Sequence, residues 1–336
     1  MKRDATRLVQ IRNGSRRRVA RVSEPRLGLI GDYDSVYALA QAAIAAGSSM
    51  LNLIERHVTG ETLDYDSIHS GRSEWRLLTP IDHPDEPARC LVSGTGLTHL
   101  GSAKDRNAMH GVKESELTDS LKMFRRGVEG GRPAPDRIGI APEWFYKGNG
   151  AILRAHGEPL VVPSFGEDGG EEAEIAGVYF VGPDGRPRRL GLAIGNEFSD
   201  HRFEKKNYLN LAGSKIRTCS LGPELVVDPD FASVPGVVSI ERAGKTLWSK
   251  EICSGEAEMC HSLRNIEHHH FKFESHRRPG DVHVHYFGAC SLSFGAGVEL
   301  AEGDVMSVSF EGYGRPLRNP LAVAPKAESL VVVEPL

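Results

Sequence analysis

The stretch Glu171-Glu172-Ala173-Glu174-Ile175-Ala176-Gly177-Val178-Tyr179-Phe180 begins acidic and turns apolar. Read as a strand, its period of two puts Glu172 and Glu174 on one face. Carboxylates that close repel each other unless a cation lies between them, and hard oxygen donors suit Mg²⁺, Mn²⁺ or Ca²⁺ better than Zn²⁺. Downstream, Gly195-Asn196-Glu197 adds a third carboxylate, and Ala212-Gly213-Ser214-Lys215-Ile216-Arg217 adds an ammonium group. Together these residues predict a divalent-metal enzyme site. A lysine beside a bound cation and partly desolvated is expected to have a lowered pKa, and so to exchange protons near neutral pH. Taken singly each has a plainer reading: the glutamates belong to the acidic run 167–172, usually a solvated loop, and Lys215 resembles many surface lysines.

The surroundings of this stretch read as strand-rich. From Gly139 to about residue 325, apolar runs of four to eight residues recur between Gly, Pro and Asp turns, with one helix expected from about Ser254 to Phe273. Ahead of it, Asn13-Gly14 predicts a hairpin within residues 6–22. Asp34-Ser35 caps an alanine-rich helix that ends at Gly47, and a second helix covers Ser49 to His57. An α+β class follows, divided into a small N-terminal α/β region (1–75) and a large β-rich domain (76–336). Early in the second region, Gly94-Thr95-Gly96-Leu97-Thr98-His99 has His99 where a dinucleotide fingerprint needs its third glycine, and no βαβ alternation follows. The segment from Ser102 to Arg126 is polar and expected to be helical, with Lys104, Asp105, Arg106 and His110 able to face a substrate.

Composition narrows the function. Apolar residues at 40% and charged residues at 26% are ordinary for a globular protein, and a net charge of -4 argues against a nucleic-acid partner. The basic clusters Arg16-Arg17-Arg18 and Arg186–Arg189 are expected in solvated loops. No apolar run approaches the ~18 residues of a membrane span and no signal-peptide core opens the chain, so no membrane association and a cytoplasmic location are expected. Cys90, Cys219, Cys253, Cys260 and Cys290 are odd in number and lack a Cys-x-x-Cys pair, which points to reduced thiols.

Read in order, Pro142-Glu143-Trp144-Phe145-Tyr146-Lys147, Glu172-Ala173-Glu174, Gly195-Asn196-Glu197 and Lys215 with Leu221-Gly222-Pro223 behind it resemble the fumarylacetoacetate hydrolase family. Pro279-Gly280-Asp281-Val282, Phe287-Gly288-Ala289 and Glu311-Gly312-Tyr313-Gly314 continue the likeness, which spans roughly residues 77–321. The branch most similar handles sugar acids and includes 2-keto-3-deoxy-pentonate dehydratases. The resemblance implies a mixed β-rich fold with a large C-terminal catalytic domain, a homodimer, and Mg²⁺ or Mn²⁺ held by Glu172, Glu174 and Glu197. It further implies Lys215 and His99 as catalytic groups, and a 2-oxo acid bound near Thr98, Ser102, Arg106, Lys147, Gly288 and Ala289. Lys147 and Arg106 are candidates for a substrate carboxylate, or else ordinary surface charges.

Two departures shape the expected reaction. Glu197 stands where the family usually has Asp, one methylene shorter. The stretch Leu97–Lys104 lacks the Glu of the family's His-x-x-Glu pair, which favours elimination over activation of water against a carbon-carbon bond. The expected activity is dehydration of a 2-keto-3-deoxy sugar acid; hydrolysis of a diketo acid, with His99 recruiting water, and non-catalytic sugar-acid binding are the alternatives. His283 and His285, alternating in one predicted strand, form the rival metal constellation, for Zn²⁺ or Fe²⁺. Glu267-His268-His269-His270 reads as a solvated helix end.

Overall fold

The computed structural model describes residues 5–31, 33–101, 119–326 and 329–336. Its N-terminal third contains β1 (Thr6–Asn13), β2 (Arg16–Ser23), β3 (Arg26–Ile30), β4 (Val58–Asp64) and β5 (Arg76–Leu77). The expected hairpin is there, with Gly14-Ser15 as its two-residue loop. Both predicted helices form: Ser35 Oγ accepts from the Ala38 amide to cap Val36–Ala45, and Ser49 Oγ accepts from Asn52 to cap Met50–His57. Arg16–Arg18 open strand β2 rather than a solvated loop, because Arg17 finds a fixed partner, Asp82, at 2.7 and 2.8 Å.

The rest of the chain supplies β6 (Cys90–Thr95), β7 (Trp144–Asn149), β8 (Leu153–Arg154), β9 (Leu160–Val162), β10 (Ala173–Val181), β11 (Pro187–Asn196) and β12 (Cys219–Leu221). After these come β13 (Leu225–Val227), β14 (Val234–Arg242), β15 (Lys245–Ser254), β16 (Val282–Tyr286), β17 (Val305–Phe310) and β18 (Leu317–Val323). The helix expected from Ser254 is shorter, Leu263–Phe271, with Ser262 as its cap. That expected over 102–126 begins, among the described residues, at Asp119 and runs to Gly130.

One large sheet runs β4-β3-β2-β1-β13-β11-β10-β16-β6-β7, and a smaller one runs β15-β14-β17-β18-β9. Residues 1–75 are continuous with the large sheet, since β1 pairs with β13 in the register Thr6↔Val227 to Leu8↔Leu225. Strand β10 lies at the centre and is buried on both faces, which explains why its apolar part is nearly unbroken. Ile175, Leu192, Ile194 and Val226 face the small sheet's Val238, Ile252, Val308 and Phe310. On the opposite face Ala176, Val178 and Phe180 pack with Val282, Val284, Leu39 and Ile54. Each such aliphatic side chain removed from water contributes roughly 1.5–3 kcal/mol. The site lies at the end of β10, where this apolar pattern gives way to acid.

Candidate active site

The antiparallel register of β10 and β11 sets Ala173 opposite Asn196 and Glu174 opposite Gly195. One step further, Glu197 N donates to Glu172 O at 3.0 Å, so these two residues face each other across the strand pair. Directly opposed side chains share a face, and Glu174 lies two residues along on the same face. Sheet geometry thereby brings three carboxylates together: one oxygen from each of Glu172, Glu174 and Glu197 lies within 4.8 Å of the others, all three residues buried. Glu197 reaches the group despite its extra methylene.

Lys215 ends the short helix Leu211–Lys215 and points its Nζ into this group. It donates to Glu172 Oε1 at 2.6 Å, Glu197 Oε2 at 2.6 Å and Ser199 Oγ at 2.9 Å, and it lies 5.0 Å from the centre of the Phe145 ring. Glu172 Oε1 also meets His201 Nε2 at 3.1 Å, while Glu174 Oε2 accepts from the Gly288 amide at 2.7 Å. A side chain at Gly288 (φ +100°) would strike Thr98 Oγ1 and Gly96 O, so only glycine brings that amide so close.

Burial, with the carboxylates of Glu197 and Glu172 beside it, lifts the Glu174 pKa well above the usual carboxylate range. Glu172 goes the other way: burial opposes ionisation, but Lys215 and His201 overcome it and hold the group low. The lowered pKa expected for Lys215 belongs to a site that holds a cation; in the metal-free group the balance is different. Burial does favour the neutral amine, yet the Glu172 and Glu197 carboxylates outweigh it and raise the pKa, so Lys215 is a firmly held ammonium. Three carboxylates outnumber the ammonium groups of Lys215 and Lys147, and their hard oxygens fit a divalent cation that would take the place of the Glu174 proton.

Gly96, Glu143, Phe145, Ala289 and Leu292 are among the residues that line, with Glu172, Glu174 and Lys215, a narrow cleft of about 20 Å³, room for about one water. Glu143 was missed as a site residue, although its signal was present: Glu143, just ahead of β7, alternates with Phe145 and Lys147 as the buried positions, whereas Trp144 and Tyr146 face outward. Ser120 and Tyr208 donate long hydrogen bonds to Glu143 Oε1, at 3.3 and 3.4 Å. Burial and this carboxylate push the Tyr208 pKa up to about 12. His201, also missed, is buried against Glu172 at the start of a helix capped by Asp200.

No protein-family model and no curated protein matches the chain. Solved structures do match. A 2-keto-3-deoxy-D-arabinonate dehydratase complexed with magnesium and 2,5-dioxopentanoate has a TM-score of 0.70 over 95% of this chain and 100% of its own, at 20% identity. The 5-carboxymethyl-2-hydroxymuconate delta-isomerase from Mycobacterium smegmatis has a TM-score of 0.56 with the same coverage, at 18% identity. The chain has the fumarylacetoacetate hydrolase fold. The sheet architecture expected from the sequence is that fold's architecture.

Within the fumarylacetoacetate hydrolase fold, the remaining candidates fall at different distances from the cleft. Ala289 lines it, and Gly288 anchors Glu174. Thr98 lies behind the wall, its Oγ1 donating to Phe287 O at 2.6 Å. His99 is buried as well; its ring meets Thr98 Oγ1 at 2.8 Å and Ser254 Oγ at 3.1 Å, and burial lowers its pKa to about 4. Lys147 is neither a surface charge nor open to the cleft: its Nζ, fully buried, donates to Phe198 O at 2.8 Å and Lys215 O at 2.7 Å and pairs with Glu197 at 2.7 Å. Ser102, Lys104, Asp105, Arg106 and His110 lie outside the described residues.

The rival histidines belong to a separate buried cluster. His285 meets Ser93 and Thr95, both at 2.8 Å, while His283 meets His270 at 3.0 Å. His270 is therefore a core residue and not part of a solvated helix end, because Leu263–Phe271 turns that face against β16. Among the described residues only the three glutamates form a metal-competent group.

Proposed function

We propose that the chain is a divalent-metal-dependent lyase that dehydrates a 2-keto-3-deoxy sugar acid, a pentonate in the first instance. The observation that carries this reading is the buried group of Glu172, Glu174, Glu197 and Lys215, with Glu143 lining the same cleft as Glu172, Glu174 and Lys215. It is supported by the shared fold of a dehydratase solved with magnesium and 2,5-dioxopentanoate. Glu172, Glu174 and Glu197 would hold Mg²⁺ or Mn²⁺. Bound there, the ion supplies Lewis acidity toward a 2-keto oxygen and its neighbouring carboxylate.

The chain's own residues handle the protons. Lys215, whose three hydrogen bonds run to Glu172, Glu197 and Ser199, would turn the one to Ser199 toward the keto oxygen as negative charge develops there. Glu143, which lines the same cleft, takes a proton from carbon 3 and returns it to the hydroxyl leaving carbon 4. One proton and one hydroxide depart as water, leaving a carbon 3–carbon 4 double bond. Where carbon 5 carries a hydroxyl, that double bond shifts to an enol and then to the aldehyde. Both His99 nitrogens are engaged with hydroxyls, which favours elimination over hydrolysis.

We further infer that the protein acts as a cytoplasmic homodimer. All five cysteines are free, as in a reducing compartment. The reaction is tested by incubating the protein and Mg²⁺ with 2-keto-3-deoxy-pentonates, with and without EDTA. A metal-dependent aldehyde product is expected. No turnover of any sugar acid would sink the proposal, cleavage of a diketo acid would favour a hydrolase, and saturable binding of unchanged ligand would favour an accessory binder.

A further inference from the structure

Glu172 Oε1 receives two hydrogen bonds, and the two donors are differently committed. Lys215 Nζ, at 2.6 Å, is shared with Glu197 Oε2 at 2.6 Å and Ser199 Oγ at 2.9 Å. His201 Nε2, at 3.1 Å, serves Glu172 alone, and its Nδ1 is buried with no hydrogen-bond partner among the described residues. A carboxylate oxygen only accepts, so the ring carries a hydrogen on Nε2. Both bonds fall on Oε1, which leaves Oε2 as the freer oxygen of Glu172 for a cation.

The imidazole has a built seat. Asp200, just ahead of it, accepts from the Glu167 and Phe203 amides, both at 2.9 Å, and pairs with Arg217 at 2.7 Å, which fixes the backbone from which His201 leaves. Gly170 and Ser199 exchange backbone hydrogen bonds of 3.0 and 3.1 Å, and this bridge lays Gly170 so close to the ring that a methyl group there would strike Nδ1 and Cε1. Phe294 packs on the same ring, centre to centre 5.2 Å. Phe294 is placed in turn by the buried Glu171, whose carboxylate accepts from Ser293 N and Ser293 Oγ, both at 2.7 Å. Glu171 thus shapes the seat of the residue that bonds its neighbour Glu172.

We infer that His201 is a positioning residue for the metal group: its Nε2–H fixes the Glu172 carboxylate with Oε2 presented to the cation. The inference rests on the metal group proposed above and adds to it a residue that touches neither ion nor substrate. Lys215 alone cannot do this, because it bridges two carboxylates and serves the keto oxygen as well. Hydrogen bonds to a ligating carboxylate set its direction, and losing one typically costs about 10–100-fold in metal affinity.

The test is calorimetric Mg²⁺ binding to the whole chain without substrate, beside His201→Leu, His201→Gln and Gly170→Ala, with circular dichroism and thermal melting in EDTA to show that each variant is folded. His201→Leu deletes the donor and should raise the Mg²⁺ dissociation constant about 10–100-fold. Gly170→Ala keeps the imidazole but displaces it, and should weaken binding in the same way. His201→Gln restores an N–H donor and should recover most of the lost affinity. In turnover, the Mg²⁺ concentration for half-maximal rate should rise in the first and last of these variants while kcat at saturating Mg²⁺ is kept, since a positioning residue takes no part in the proton transfers. Parent-like affinity in His201→Leu or Gly170→Ala, no recovery in His201→Gln, or a kcat that stays low at saturating Mg²⁺ would overturn the inference. A parent chain that binds no Mg²⁺ overturns it together with the metal group, whereas a parent that binds Mg²⁺ but turns over no sugar acid removes the dehydratase reading alone.

Discussion

Replacing Lys147 with Met keeps the buried stem and deletes the ammonium. Nζ has three partners, Phe198 O at 2.8 Å, Lys215 O at 2.7 Å and Glu197 Oε1 at 2.7 Å, and no exposure to solvent. Removing it leaves two carbonyls short of a donor and Glu197 short of a counter-charge. Breaking a buried ion pair from one side costs about 3–5 kcal/mol, a large share of the ~5–15 kcal/mol that holds a typical domain folded. With a urea slope of roughly 1–3 kcal/mol/M, the unfolding midpoint should fall by at least about 1 M. Part of the cost is relieved when Glu197 takes up a proton. The folded variant then binds a proton that the unfolded chain does not, so its deficit should grow as pH rises, by up to about 1.4 kcal/mol per unit. The assay is urea unfolding at several pH values, run beside steady-state kinetics. An unchanged midpoint with a raised KM would refute this reasoning and return Lys147 to the role of holding the substrate's carboxylate.

Other substitutions separate the roles within the cleft. Glu174→Gln should abolish Mg²⁺ stimulation and calorimetric Mg²⁺ binding while changing stability by less than about 1 kcal/mol, because burial and the neighbouring Glu197 and Glu172 carboxylates favour a neutral side chain at this position; retained metal-dependent activity would refute its place in the metal group. Glu143→Gln should lower kcat about 10²–10⁴-fold with Mg²⁺ affinity preserved, and a near-normal kcat would remove it from the proton transfers. Gly288→Ala should weaken Mg²⁺ binding through Glu174, since the new methyl group would strike Thr98 and Gly96; unaltered binding would show that the turn can yield. His99 is kept neutral by burial, with its pKa lowered to about 4. The unfolded chain takes up that proton near pH 6.5, so below this point unfolding binds more protons and stability falls as pH drops toward about 4. His99→Gln should remove roughly 3 kcal/mol of this acid-induced loss; parallel pH-stability curves for the two proteins would count against it.

The inward face of β10 was legible because a strand repeats every two residues, so Glu172 and Glu174 had to share a direction once the segment was extended. The cap at Ser35 was legible for a related reason: an N-cap serine bonds to an amide only three residues away. Local periodicity could not say which strand would lie beside β10, nor in what register. The pairing of Ala173 with Asn196 set Glu197 against Glu172, and a slip of one residue would have turned it to the other face.

The protonation of Lys215 was likewise a tertiary outcome. Burial alone argues for a neutral amine, and only the carboxylates of Glu172 and Glu197, 43 and 18 residues away in the chain, reverse the sign. Lys147 and His270 were misread because sequence carries no measure of depth, and a lysine or a histidine is exposed by default until packing supplies its partners. From the sequence alone came Glu172, Glu174, Glu197 and Lys215 as candidates and the face that the first two share within one strand, but neither Glu143 nor His201. Strand pairing, which joins segments distant in the chain, decided which of them meet, which carry a proton, and which hold the others in place.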